Sequence, residues 1–150
     1  MAWKSKKNKR VIVSKIKNIK VAGGIILNKN HFLLCRRGPK EKAAGMWEFP
    51  GGKLEKDETP EDCMVRELKE ELAIDVKLGP LYTNYTYKTE QVTYDLYFFF
   101  VKSYVGKIRK IVHDKIKWLT LEEFKDYEIL PGDGPLIEQL LRVEGIDSFR

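Results

Sequence analysis

The stretch GGKLEKDETPEDCMVRELKEELAI, residues 51–74, decides how this chain is read. Its second half predicts a helix over residues 59–73. Thr59 can cap it, Pro60 suits the first turn, and Asp62 lies three positions after the cap, where a capping box places an acid. Met64, Leu68 and Leu72 recur every fourth residue and give the helix an apolar face. Glu67, Glu70 and Glu71 stand at i, i+3 and i+4, so three carboxylates share another face. Like charges this close repel unless a cation sits among them. Oxygen-only donors select a hard ion, and a few carboxylates completed by substrate phosphates is how Mg²⁺ is usually held. Gly51-Gly52 supplies backbone that can approach such an ion, and Glu58 with Arg66 can tie the loop to the helix as a charge-assisted pair. The competing reading is a solvated Glu/Lys helix face, which an EE run alone would suit better.

Outward from that stretch, residues 19–27 and 31–37 read as two strands of a hairpin around the polar turn 28–30. Residues 38–45 read as a polar loop and 46–49 as a short apolar stretch. Strand-like runs follow at 81–87, 92–101 and 116–119, with a weaker one at 11–16. Residues 121–127 predict a short helix, 131–135 a Pro/Gly turn and 136–143 a terminal helix. Strands mixed with two or three helices, without βαβ alternation, indicate an α+β fold, a sandwich of helices around a mixed sheet.

The bulk properties agree with one domain. The chain has 150 residues, 43% hydrophobic and 33% charged, enough for one proper core and too few for two. The longest apolar run, residues 96–101, is strand-sized, and the basic N-terminus lacks the apolar segment of a signal peptide. No membrane association is expected, and the cytoplasm is the default location. Cys35 and Cys63 have neither metal-site nor disulfide-framework spacing and read as reduced packing residues. The net charge of +6 is uneven. Residues 1–20 hold eight Lys/Arg and no acid, leaving 20 basic and 22 acidic side chains in the remaining 130. Residues 1–18 therefore read as a basic arm and 19–150 as the domain. Such an arm could touch nucleic acid, but a solvated tail is the favoured reading.

The spacing in residues 52–74 resembles the Nudix box: Gly, five residues, Glu, seven residues, Arg-Glu, an aliphatic, any residue, Glu-Glu, any residue, Gly, an aliphatic. Gly52, Glu58, Arg66, Glu67, Leu68, Glu70, Glu71 and Ile74 match, and Ala73 stands where the family usually has Gly. That glycine ends the helix in a left-handed conformation, which costs another residue on the order of 1 kcal/mol and removes no ligand. Residues 22–37, 47–53, 92–101 and 118–140 extend the resemblance to the MutT branch, over roughly residues 19–145. It implies a Nudix fold and a nucleoside triphosphate pyrophosphohydrolase that releases the monophosphate and pyrophosphate. It makes Glu67, Glu70 and Arg66 the catalytic candidates, with Glu67 favoured to activate water. The Gly51 carbonyl, Glu67, Glu70 and Glu71 become the ligands of Mg²⁺, with Mn²⁺ as the substitute ion. Arg37, Glu48 and Asp133 become substrate-binding residues, Gly52 and Glu58 structural ones, and Arg36 a structural neighbour. A monomer or a homodimer is compatible with it.

Two further positions bear on the chemistry. Branch members often carry a glutamate just before the Trp-bearing strand, where this chain has Val112 in Val112-His113-Asp114. His113 or Asp114 substitutes, or the box acids act alone; a bland alternative makes His113 a surface loop residue. In the turn after Leu130, Asp133 read as an ionised acceptor favours bases that offer N–H donors, as cytosine, adenine and guanine derivatives do. The resemblance, through branch members that carry Asp in this turn, implies oxidised purine (8-oxo-dGTP) or cytosine (CTP, dCTP) nucleotides. Asp133 as a mere turn residue competes with that. Most of the aromatics at 85, 87 and 97–100 read as core, though any could stack on a base. The expected role is removal of damaged or surplus nucleotides. The alternatives are hydrolysis of another diphosphate-linked nucleotide, or a nucleotide- or RNA-binding module without turnover.

Overall fold

The computed structural model describes residues 16–143, so residues 1–15 of the expected arm, with most of the weak strand at 11–16, lie outside the described residues. Among the described residues eight strands and two α-helices follow in order: β1 Lys17–Ile25, β2 Leu27–Asn28, β3 His31–Arg36, β4 Trp47–Glu48, β5 Gly51–Lys53, α1 Pro60–Leu72, β6 Asp75–Lys88, β7 Val92–Val105, β8 Lys115–Leu119 and α2 Gly134–Arg142. One sheet runs β5-β1-β7-β6, and the second is built on β3, with β2 and β4 on one side and β8 on the other. Among these strands β1 and β7 pair in parallel and the other pairs are antiparallel. The mixed sheets with helices are the expected α+β class.

Strand alternation sends neighbouring residues to two cores. Ile25, Phe32, Leu34, Phe98 and Leu119 join Leu136 and Leu140 of α2 on one side. Ile26, Leu33, Cys35 and Phe99 join Met64, Leu68 and Leu72 of α1 on the other. The apolar stripe read along α1 is therefore the face that docks. Cys35 and Cys63 are buried free thiols.

The expected hairpin is only partly formed. Residues 17–25 belong to the first sheet, and only Leu27–Asn28 turns back against β3, with Lys29 left-handed at φ 58°. The chain changes sheets at Ile26, and the alternation carries through, with Ile25 and Ile26 facing opposite cores. β6 starts at Asp75, six residues before the expected strand, because bulges between Lys77 and Thr83 carry it past Gly79-Pro80. Residues 122–126 form a 3₁₀ turn rather than an α-helix. Pro131–Asp133 is a second 3₁₀ turn running directly into α2, which starts at Gly134 with Pro135 in its first turn.

Candidate active site

The loop before α1 is held by one arginine. Thr59 Oγ1 accepts the Asp62 N–H at 3.1 Å, capping the helix. One turn on, Arg66 donates Nε and Nη2 to the two Glu58 oxygens, both at 2.8 Å. Nη2 also reaches the Lys53 carbonyl, and Nη1 reaches Glu67 Oε1 at 2.9 Å and Glu70 Oε2 at 3.2 Å. All five guanidinium N–H groups are thus engaged within the protein. Arg66, expected among the catalytic residues, sits here as the group that orders the acids. Its guanidinium holds Glu58 down at about 2, and the carboxylates raise Arg66 in turn.

Glu67 lies against Gly52, where any Cβ would collide with its carboxyl group. Burial pushes Glu67 above the ordinary carboxylate range, against the pull of Arg66. Glu71 is buried, and burial, with Glu67 and Glu48 nearby, pushes it up to about 9. The Gly51 backbone N–H pulls Glu71 the other way, but Glu71 Oε2 has no hydrogen-bond partner among the described residues. Glu70 faces outward. Among the described residues no three acidic, His or Cys side chains form a ready-made cage for a metal. The donor set still suits Mg²⁺: oxygen-only ligands, one of them an orphaned buried carboxylate oxygen, beside a glycine that leaves room for Glu67. An ion held by few carboxylates plus substrate phosphates needs no all-protein cage.

β4 joins this cluster to the turn before α2. Trp47 and Phe49 point into the α2-side core, so Glu48 between them points the other way. Its Oε1 accepts Arg37 Nη1 and its Oε2 meets His113 Nε2, both at 3.0 Å. His113 Nε2 is also 3.9 Å from Glu71 Oε1. His113 is buried at 5% exposure, which corrects its reading as a surface loop residue. Val112 is exposed instead, and Asp114 is taken by Arg36 through two bonds of 2.8 Å, so of the two candidates for the missing glutamate only His113 reaches the acids. Trp47 bonds residues 128 and 130 on its backbone, and the Phe49 N–H donates to Asp133 Oδ2 at 3.0 Å. Asp133 is buried, and that burial pushes it up to about 7. The expectation of a purely accepting, ionised Asp133 is corrected accordingly: near neutrality it also exists as an acid with an O–H to donate. Tyr85 stacks on Phe98 and donates to the Gly132 carbonyl at 2.7 Å. A groove of about 290 Å³ lined by Leu121, Phe124, Ile129 and Ile137 takes no residue of this set.

Compared with known proteins, residues 17–140 match the NUDIX domain. The chain belongs to the Nudix family. Among Nudix relatives it is 32% identical over 126 residues to a CTP pyrophosphohydrolase of Escherichia coli, covering 84% of this chain and 93% of that one. It is also 32% identical over 129 residues to an 8-oxo-dGTP diphosphatase of Escherichia coli, covering 85% and 100%. The solution structure of the E. coli ORF135 protein superposes with a TM-score of 0.75 at 32% identity, covering 84% of this chain and 90% of that one. The chain is thus a MutT-like Nudix hydrolase. Its Nudix match starts at Lys17, where β1 starts. Sequence reasoning named every acid of the Nudix box, but did not place Glu48 beside His113. Loop residue and strand residue are 65 positions apart, and no local spacing signals their meeting.

Proposed function

We propose that the protein is a Mg²⁺-dependent (deoxy)nucleoside triphosphate pyrophosphohydrolase that removes damaged or surplus nucleotides, releasing the monophosphate and pyrophosphate. The observation that carries this is the buried Glu71 with its unpartnered Oε2 beside Glu67, which lies over Gly52. Glu67, Glu70, Glu71 and the Gly51 carbonyl would hold Mg²⁺, with Mn²⁺ able to replace it. When bound, the ion neutralises phosphate charge and acidifies water. Glu67, already raised by burial, accepts the proton of the attacking water. Arg66 keeps that carboxylate in place through its 2.9 Å bond. Arg37, held by Glu48 and the Lys42 carbonyl, presents positive charge to the phosphates. Asp133, at the entry to α2, reads the base. With a value near 7 it can accept from an amino group and donate to a ring nitrogen or carbonyl. That pair of capacities suits cytosine and oxidised guanine, the bases named for the two relatives above.

A panel of canonical and oxidised nucleoside triphosphates incubated with Mg²⁺ tests this, read by pyrophosphate release. Fastest turnover of a cytosine or 8-oxo-guanine triphosphate is expected, and no release from any triphosphate refutes the proposal. In the same assay Glu67→Gln should lose about 10²- to 10⁴-fold in kcat while still binding nucleotide.

A further inference from the structure

The loop between β7 and β8, residues 106–114, is fastened to the end of α1. A helix leaves its last carbonyls without partners. Here the Arg109 N–H donates to Leu72 O at 2.9 Å and the Ile111 N–H to Glu71 O at 3.2 Å. At the far end of the loop the Asp114 N–H bonds Arg36 O, and the Asp114 carboxylate clamps the Arg36 side chain. So fastened, the loop exposes two apolar residues, Ile111 at 54% and Val112 at 49%, and buries the polar His113. Burial of a polar ring while its apolar neighbours face solvent is the reverse of what the hydrophobic effect alone selects. The ring must be held there by what it bonds.

We propose that His113 is a positioning residue for the phosphate-contacting arginine, acting through Glu48. Nε2 lies within hydrogen-bond distance of Glu48 Oε2, at 3.0 Å, with Glu71 Oε1 farther off at 3.9 Å. Nδ1 is buried with no partner among the described residues. The hydrogen therefore belongs on Nε2, which donates to Glu48. The other Glu48 oxygen accepts from Arg37 Nη1, so the three side chains form a relay from the loop to the guanidinium. Glu48 is a flexible side chain between two donors, and losing either frees it to rotate. Arg37 then keeps the Lys42 carbonyl on Nε but loses the carboxylate that aims Nη1. This rests on the reading of Arg37 as a phosphate contact.

Three substitutions separate the possibilities: His113→Leu, which removes the donor, His113→Gln, which keeps an N–H for Glu48, and Arg37→Ala. Steady-state kinetics use the triphosphate that the wild-type protein hydrolyses fastest, and calorimetry measures binding of inorganic pyrophosphate with Mg²⁺. His113→Leu is expected to raise KM and weaken pyrophosphate about tenfold with little change in kcat, the mark of lost ground-state binding. His113→Gln should recover most of that, and combining His113→Leu with Arg37→Ala should add nothing to Arg37→Ala alone. Equal losses in the Leu and Gln variants, or a fall confined to kcat, overturn the proposal. If Arg37→Ala leaves pyrophosphate binding unchanged, the phosphate-contact reading is wrong and the proposal falls with it; a loss in Arg37→Ala but none in His113→Leu removes the His113 proposal alone. Should the Leu variant not fold, a long-range ¹H–¹⁵N spectrum of the wild-type protein still decides. A neutral Nε2–H ring supports the relay, and an Nδ1–H ring overturns it.

Discussion

Ala73 closes the helix that carries the acids, in a left-handed conformation at φ 61° and ψ 33°. Its N–H still satisfies the Lys69 carbonyl, so the cost falls on the side chain, not on the cap. Ala73→Gly should raise stability by about 1 kcal/mol and the melting temperature by about 2–4 °C, with kcat unchanged. Calorimetry and a standard assay check both halves. Asp133 gives a prediction of pH dependence. Burial raises it from 3.8 to about 7, so between those values the folded chain holds a proton that the unfolded chain has released. A raised folded value means stability fully present below 3.8 and lost as pH rises through about 7. Denaturant titrations at about pH 5 and about pH 8.5 should show the wild-type protein losing more stability than Asp133→Asn, which cannot titrate. Equal losses in both would place the Asp133 value near the ordinary range.

At the scale of elements, α1 does two jobs with two faces. Met64, Leu68 and Leu72 are fully buried against residues of both sheets, while Arg66 and Glu67 meet the loop in front of the helix. Docking therefore sets where the acids stand relative to Gly52. Leu68→Ala should cost about 2–5 kcal/mol through the cavity it leaves. Because Glu67 must stay over Gly52, kcat should fall even at temperatures where the variant remains folded; chemical denaturation and a low-temperature assay together check this. β4, only two residues long, is the other working element. Its alternation puts Trp47 in one core and Glu48 on the opposite side, and the backbone beyond it ties down Asp133. The α1 bounds were legible because cap, apolar repeat and end are all local signals. The sheet switch at Ile26 was not, since a strand that changes sheets looks like any continuous apolar run.

The molecule as a whole builds two cores and brings Arg37, Glu48, His113 and Glu71, from four separate segments, into one group of contacts. No helix among the described residues is long and apolar enough to cross a membrane. Mg²⁺ should bind the folded chain and not the unfolded one, so at about 100 times its dissociation constant it should add about 2.7 kcal/mol of stability. The melting temperature should rise with Mg²⁺ concentration in the wild-type protein and much less in Glu71→Gln; an equal rise in both would remove Glu71 from the ligand set. The Nudix box was readable without coordinates because a helix converts spacing into a shared face: Glu67, Glu70 and Glu71 are neighbours by geometry wherever that helix goes. The fold class followed from the mixture of periods, and the Glu58–Arg66 pair from its place in the motif. Only the tertiary structure decided what depends on burial and on distant meetings. Asp133 rises to about 7 because the surrounding core excludes water, and His113 joins Glu48 because its loop is fastened to the end of α1. Neither desolvation nor contact across 65 residues is written in the local order of the chain.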